Sequence, residues 1–302
     1  MSSNKLWVNP LKIKEPVFQD NETYNPIQNA LPHDLSIVKY DRKTKKITFE
    51  KCLLSTLILT KTELKDNVFF KDKLPIYFDL MHKAKQEKKH TYELLDNLSF
   101  CLQLNDIIEN QEIKTIIGFN ASFDYDSTNR LYDRVNDDIS LLRKNHELLK
   151  ISYKDIPRKI YNGYKKVNYL DMYTMLTMLV KENKAIRLEL YTFCVENHLY
   201  TDTLKCIKTS EEVFHRCFVD ADTIEQHMGL QDCYDECELW KWLLQQVKKG
   251  KLKSKVTLNT KVSKANYGKY GLYSSYQVLR ELEKENVDID LSELKEIVAT
   301  HF

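Results

Sequence analysis

The chain has 302 residues, of which 42% are hydrophobic and 30% charged, and its formal net charge is +2. The apolar content excludes a mainly disordered chain, and the length suits about two domains. The near-neutral net charge argues against a protein that binds nucleic acid non-specifically over its whole surface. Only six glycines are present where about twenty are usual, and no spacing among them forms a phosphate-binding loop, which argues against glycine-loop ATP, GTP or NAD chemistry.

The predicted elements begin with strands and continue as strands alternating with helices. Residues 16–20 predict a short strand that ends in an acid, and 35–40 with 46–59 predict an antiparallel pair around a charged turn. The later elements are a helix at 91–104, a strand at 113–120, a helix at 123–149, a strand at 167–171 and helices at 172–183, 188–198 and 230–247. This order predicts an α/β layer with a mixed sheet.

The composition changes after Gly250, so residues 251–302 are predicted to be a basic linker with two short helices, at 272–285 and 291–298. No run approaches the roughly 18 apolar residues of a membrane span, and the first residues lack a signal-peptide core. We therefore expect no membrane partner and a cytoplasmic protein, or a viral protein that acts in the host cytoplasm.

Seven scattered cysteines include no C-x-x-C pair, which favours reduced thiols. A zinc site is conceivable among the five potential ligands Cys194, His198, Cys206, His215 and Cys217. Their spacing matches no standard finger, and buried free thiols are the commoner outcome.

Two acids close the first predicted strand. Asp20 and Glu22 are separated by one residue, so on an extended chain both side chains point to the same face. Paired hard oxygen ligands suit Mg²⁺ or Mn²⁺, although the same pattern also occurs in surface loops.

Asn120 and Asp124 follow the predicted strand at 113–120. An acid in so apolar a setting is either functional or a helix cap, and Asn120 is either a site residue or a turn former.

His227 and Asp232 stand at the start of the helix predicted at 230–247. Five residues on a regular helix subtend about 140°, so the two side chains converge only if His227 lies in the preceding loop, an entry that Gly229 would permit. A neutral histidine beside metal-bound carboxylates can take a proton from water near pH 7.

The ordered set of strand–DxE, strand–NxxxD and HxxxxD–helix resembles the DEDDh 3′–5′ exonucleases of the ribonuclease-H-like superfamily, over roughly residues 14–247. Within that superfamily it is most similar to the bacterial exonuclease I family. The similar segments are GFNASFDYDSTNRLYD (118–133), NYLDMYTM (168–175), Arg187-Leu188-Glu189 and HMGLQDCYDE (227–236).

The resemblance implies a ribonuclease-H-like α/β domain over residues 1–250, with a mixed sheet of about five strands flanked by helices and an insertion at about 200–226. It also implies that two Mg²⁺ or Mn²⁺ ions, about 3.5–4 Å apart, are bound by Asp20, Glu22, Asp124 and Asp232. His227 would be the general base, and Thr23 and Asn120 would contact the terminal nucleotide.

The exonuclease I family continues into large C-terminal domains, whereas about 50 residues follow the similar region here, so processivity is not carried over. The segment 248–269 contains eight lysines and no acid, and tyrosines follow it. Lysines beside tyrosines suit a single strand, although such runs are often only solvated. The candidates for substrate binding are Lys248, Lys249, Lys251, Lys253, Tyr270 and Tyr273.

The sequence thus predicts a metal-dependent 3′–5′ exonuclease that hydrolyses single-stranded DNA to nucleoside 5′-monophosphates. An exoribonuclease on the same scaffold is the enzymatic alternative, because the 2′-OH is read away from the metals. A catalytically inactive nucleic-acid-binding module is the non-enzymatic one. The sequence does not identify a protein partner.

Overall fold

In a computed structural model, the described residues are 6–23, 30–56, 59, 68–202, 205–224, 226–260, 268 and 270–302, without the side chains of 68–72. The chain divides into two compact units. One comprises Lys14–Leu170 with His227–Tyr234, and we call it the sheet unit. The other comprises Met1–Ile13, Asp171–Gln226 and Asp235–Phe302, and we call it the helical unit.

A mixed six-stranded sheet organises the sheet unit. Its strands are β2 (Val17–Thr23), β3 (Pro32–Asp41), β4 (Lys46–Ser55), β5 (Tyr92–Leu95), β6 (Thr115–Gly118) and β7 (Asn168–Asp171), in the spatial order β5-β4-β3-β2-β6-β7. Strands β2, β3 and β4 pair antiparallel, whereas β5 on β4 and β6 on β2 pair parallel. The predicted α/β class with a mixed sheet is confirmed, with six strands instead of about five.

Helices lie on both faces of this sheet. The helices α1 (Val68–Gln86), α2 (Asn97–Asn110) and α3 (Ala121–Lys144) belong wholly to the sheet unit, and α7 (Gly229–Lys248) begins in it. Leu35 and Ile37 point from β3 into a core that contains Phe100 of α2 and Leu131 of α3. Burying each such side chain contributes about 1.5–3 kcal/mol. The other face of β3, with Asp34, meets α1 and the start of α7 through hydrogen bonds.

The predicted hairpin is confirmed as β3 and β4, but the helix predicted at 91–104 is wrong in its first part. Tyr92–Leu95 instead forms a strand that pairs with β4. The Asp96 side chain accepts hydrogen bonds from the backbone amides of Leu98 and Ser99, and so caps the N-terminus of α2. The sequence also missed α1, which contains Pro75. A proline inside a helical pattern normally signals a helix end, which concealed this one.

The helical unit contains α4 (Met172–Glu182), α5 (Lys184–Glu196), α6 (Glu211–Phe218), most of α7, α8 (Ser275–Lys284) and α9 (Ser292–His301), and a two-stranded ribbon of β1 (Trp7–Val8) with β8 (Val256–Thr257). The region after residue 250 is therefore not separate from what precedes it. Arg187 of α5 pairs with Glu281 of α8 at 2.6 Å, and Tyr273 donates its hydroxyl to Thr177 at 2.9 Å.

Candidate metal centre

Strand β2 presents two different polar faces. Gln19 and Asn21 are buried on one face, where the Asn21 amide donates to the hydroxyl of Ser127 at 2.9 Å and to that of Thr128 at 2.8 Å, both on α3. Because side chains alternate along a strand, Asp20 and Glu22 point to the other face. The predicted arrangement of this acid pair on one face is consistent with these contacts.

Three carboxylates assemble on that second face. Asp20 and Glu22 of β2 and Asp232 of α7 each offer an oxygen, and these oxygens lie within 4.8 Å of one another. In the described part of the chain, this is the group of acids, histidines or cysteines that could hold a metal ion. Oxygen-only ligands suit hard divalent cations, and a cation would offset the mutual repulsion of the carboxylates.

The start of α7 brings Asp232 to β2. Asp232 lies in the first turn and is 3% exposed, and a carboxylate there is favoured by the helix dipole. His227 lies two residues before the helix, as predicted, and its φ of 51° is left-handed. Gly229 permits this entry, as predicted, because it carries no side chain: a Cβ there would lie 2.9 Å from Oδ1 of Asp34.

Asp34 is a buried acid beside this group that sequence reasoning missed. It is the register partner of Glu22 and accepts the Gly229 amide at 3.2 Å. Burial raises the pKa of Asp34, while donated hydrogen bonds, those from Tyr77 and Ser36 foremost, oppose that rise. Its sequence setting, one acid inside an apolar strand, was the available signal.

Asp124 is not one of the three clustered acids. It lies in the first turn of α3 and is 3% exposed, and its carbonyl accepts from Asn21 at 2.9 Å. Burial first, and then the charge of Asp124, raises the pKa of Tyr164. Helix α3 packs on the Gln19–Asn21 face of β2 through Asn21, which donates to the Asp124 carbonyl and to the Ser127 hydroxyl. The role of Asp124 as a metal ligand stays a prediction.

Two of the predicted substrate-binding residues, Asn120 and Thr23, lie in the sheet unit. Asn120 is exposed and left-handed, with φ 62°, at the position before α3. Its side chain makes no capping bond, so the turn-forming role describes its backbone. Thr23 is half-buried at the end of β2, where the register with β3 shifts after Glu22.

The remaining substrate-binding candidates lie in the helical unit. Lys248, Lys249 and Lys253 are exposed and Lys251 is partly exposed, as phosphate contacts require. Residues 261–267 and 269 of the lysine-rich segment lie outside the described residues. Tyr270 is 68% exposed and meets Tyr276 edge to face.

Tyr273 needs a correction. It is fully buried, and its hydroxyl donates to Thr177, so its ring is not available for a base to stack on. The pattern of lysines followed by tyrosines does not determine which ring faces inward. Packing within the helical unit buries the ring of Tyr273.

The cysteines are free thiols, and those of the suggested zinc set do not form a metal-binding group with His198 and His215 among the residues described. Cys194 and Cys206 are buried, and burial raises the pKa of Cys194 to about 12. Both residues therefore contribute to packing as neutral thiols.

No protein-family model, curated protein or solved structure matches the chain. Within the described residues, no helix has the length and apolar character needed to cross a membrane.

Proposed function

We propose that this chain is a metal-dependent 3′–5′ exonuclease that acts on single-stranded nucleic acid, with DNA as the favoured substrate. The observation that carries the proposal is the convergence of Asp20, Glu22 and Asp232. Asp232 follows Asp20 by 212 residues in the sequence (232 − 20), yet the three carboxylates have oxygens within 4.8 Å of one another. Two Mg²⁺ or Mn²⁺ ions are the cofactors we propose for this site.

The three carboxylates fit the chemistry of such ions, since they offer only hard oxygen donors in one group. When bound, divalent cations supply Lewis-acid stabilisation of the phosphate and its leaving oxygen. The half-exposed His227 lies in the loop that precedes α7, five residues from Asp232. We propose that its neutral imidazole accepts the proton of the attacking water.

The resemblance of the motifs to DEDDh exonucleases supports the direction of cleavage and the products, nucleoside 5′-monophosphates. The geometry of three acids alone supports phosphodiester hydrolysis by metal ions in general. A binding module without activity would retain the fold but would have no need for the clustered carboxylates, whose mutual repulsion is unfavourable without a cation.

The test uses single-stranded DNA, and RNA of matching sequence, labelled at either end and incubated with Mg²⁺, Mn²⁺ or EDTA. Shortening from the 3′ end should require the metal. Asp20→Asn and Asp232→Asn should each lower the rate by more than about 100-fold. Substitution of residues that only support metal ligands already lowers metal affinity or activity about 10–100-fold. Asp133→Asn is the matched control, because this exposed acid pairs only loosely with Lys165, at 3.4 Å.

Full activity in both Asp→Asn variants would overturn the assignment of the metal site. If the original chain degraded neither DNA nor RNA, the inactive binding module would be favoured. A faster rate on RNA would identify the exoribonuclease alternative.

Asp124→Asn tests the fourth carboxylate separately. If Asp124 joins the other acids when metal and substrate bind, the rate should fall as far as in Asp232→Asn. A rate like that of Asp133→Asn would restrict the centre to the three acids on the other face of β2.

A further inference from the structure

A buried polar network joins α1 and β3 to the segment that leads into α7. Tyr77 is 1% exposed and donates its hydroxyl to Oδ2 of Asp34 at 2.5 Å. The same oxygen accepts the Gly229 amide at 3.2 Å. One turn earlier on α1, Lys73 donates to the carbonyl of His227 at 2.5 Å. Residues four apart share a helix face. One face of α1 therefore contacts the His227 carbonyl directly, through Lys73, and the Gly229 amide indirectly, through Tyr77 and Asp34.

Asp34 has donors at both of its carboxylate oxygens. Oδ1 accepts from the Ser36 hydroxyl at 2.8 Å and from the Cys52 thiol at 3.4 Å, in addition to the two donors at Oδ2. A buried carboxylate is costly unless such bonds satisfy it. Apolar side chains would pack a helix against a sheet at lower cost, so packing alone does not account for this group.

We propose that Asp34 is a positioning residue of the metal centre, held by Tyr77 and assisted by Lys73. Asp34 is the register partner of Glu22 and also accepts the amide three residues before Asp232. One side chain thus connects the strand that supplies two ligands to the helix that supplies the third. The inference rests on the metal-binding part of the proposed function, but not on the substrate.

The backbone at the helix entry explains why a tether is needed. His227 has a φ of 51°, a left-handed conformation that is unfavourable for a residue with a side chain. The Lys73 bond to its carbonyl and the Asp34 bond to the Gly229 amide hold the chain in this conformation. Without them, the entry can relax, and Asp232 would move away from Asp20 and Glu22.

The experiment measures Mn²⁺ binding to the full chain from the electron paramagnetic resonance signal of the free ion, without any substrate. Tyr77→Phe and Lys73→Met each remove one tether and keep most of the side chain. Both should weaken the Kd for Mn²⁺ by about 10-fold or more, as is usual for partners behind metal ligands.

Matched controls remove similar bonds elsewhere in the sheet unit. Tyr132→Phe removes a buried hydroxyl that donates to the Cys101 carbonyl at 3.0 Å, and Lys39→Met removes a lysine that donates to the Gln111 carbonyl at 3.2 Å. Both should bind Mn²⁺ as the original chain does. The Tm of each metal-free variant is recorded beside its Kd.

A purely structural role for the network would lower the Tm of metal-free Tyr77→Phe and Lys73→Met and leave their Kd unchanged, which would overturn the positioning role alone. If the original chain bound no Mn²⁺, both the metal centre and this inference would fail. A Kd that is weakened in the two site variants and unchanged in the two controls supports the proposal.

Discussion

His33, the residue before Asp34 on β3, is 5% exposed and interacts electrostatically with the positively charged Lys73. Burial, and to a smaller extent that charge, lower the pKa of His33 to about 3. The folded chain therefore keeps this imidazole neutral through the range in which an unfolded histidine, with a pKa of about 6.5, becomes charged.

The sign of the resulting pH dependence follows from proton uptake. Below about pH 6.5 the unfolded state binds a proton at His33 that the folded state does not bind until about pH 3, so stability falls as the pH falls. Between pH 7 and pH 5 this residue should account for a loss of about 2 kcal/mol. Urea unfolding at both pH values should show a smaller loss in His33→Gln, with the exposed His82→Gln as the control. An equal loss in the original chain and in His33→Gln would contradict the prediction.

At the first residue of α7, the chain approaches β3 too closely for a side chain. A Cβ on Gly229 would lie 2.9 Å from Oδ1 of Asp34, 3.0 Å from Oγ of Ser36 and 3.1 Å from its Cβ. These neighbours are hydrogen-bonded to each other at 2.8 Å and have little freedom to move. The close contact therefore outweighs the usual preference of helices for alanine, which is about 1 kcal/mol.

Gly229→Ala should consequently lower the free energy of unfolding by about 1–3 kcal/mol, as overpacked sites do. At Gly250, where φ is 70° and no atom lies within 4 Å of an added Cβ, Gly250→Asn should cost less, because asparagine tolerates left-handed backbone. Denaturant unfolding of both variants compares the two sites. A stabilised Gly229→Ala chain would show that the helix entry has room for a methyl group.

On the scale of the whole molecule, the region after residue 250 completes the helical unit. Val278, Leu282 and Leu294 are fully buried, and the Tyr191 hydroxyl donates to the carbonyl of Leu272. Each buried apolar side chain contributes about 1.5–3 kcal/mol, and a domain has only about 5–15 kcal/mol of net stability. The sequence-based boundary at residue 250 therefore cuts through one of the two compact units.

A chain truncated after Gly250 should lose the cooperative unfolding of the helical unit and the near-ultraviolet circular dichroism of its tyrosines and tryptophans. Calorimetry of residues 1–250 beside the full chain measures this loss. An unchanged Tm in the truncated chain would mean that residues 251–302 are a dispensable extension.

Local pattern was enough to predict several elements and some of the candidate site. The prediction that Asp20 and Glu22 share one face needs only the alternation of side chains along a strand, which is a local property. The hairpin of β3 with β4 and the loop position of His227 follow from neighbouring residues for the same reason. The α/β class with a mixed sheet required only the order of strands and helices.

Tertiary structure alone decided which distant groups meet. The position of Asp34 in an apolar strand marks it as unusual, but its pairing with Glu22 and its bond to the amide of Gly229, 195 residues away, follow only from the tertiary structure. Packing also turned the ring of Tyr273 inward and made Tyr92–Leu95 a strand on β4. The physical reason is common to all of these cases: hydrogen bonds and burial between distant segments exceed the small local propensities that a sequence pattern records.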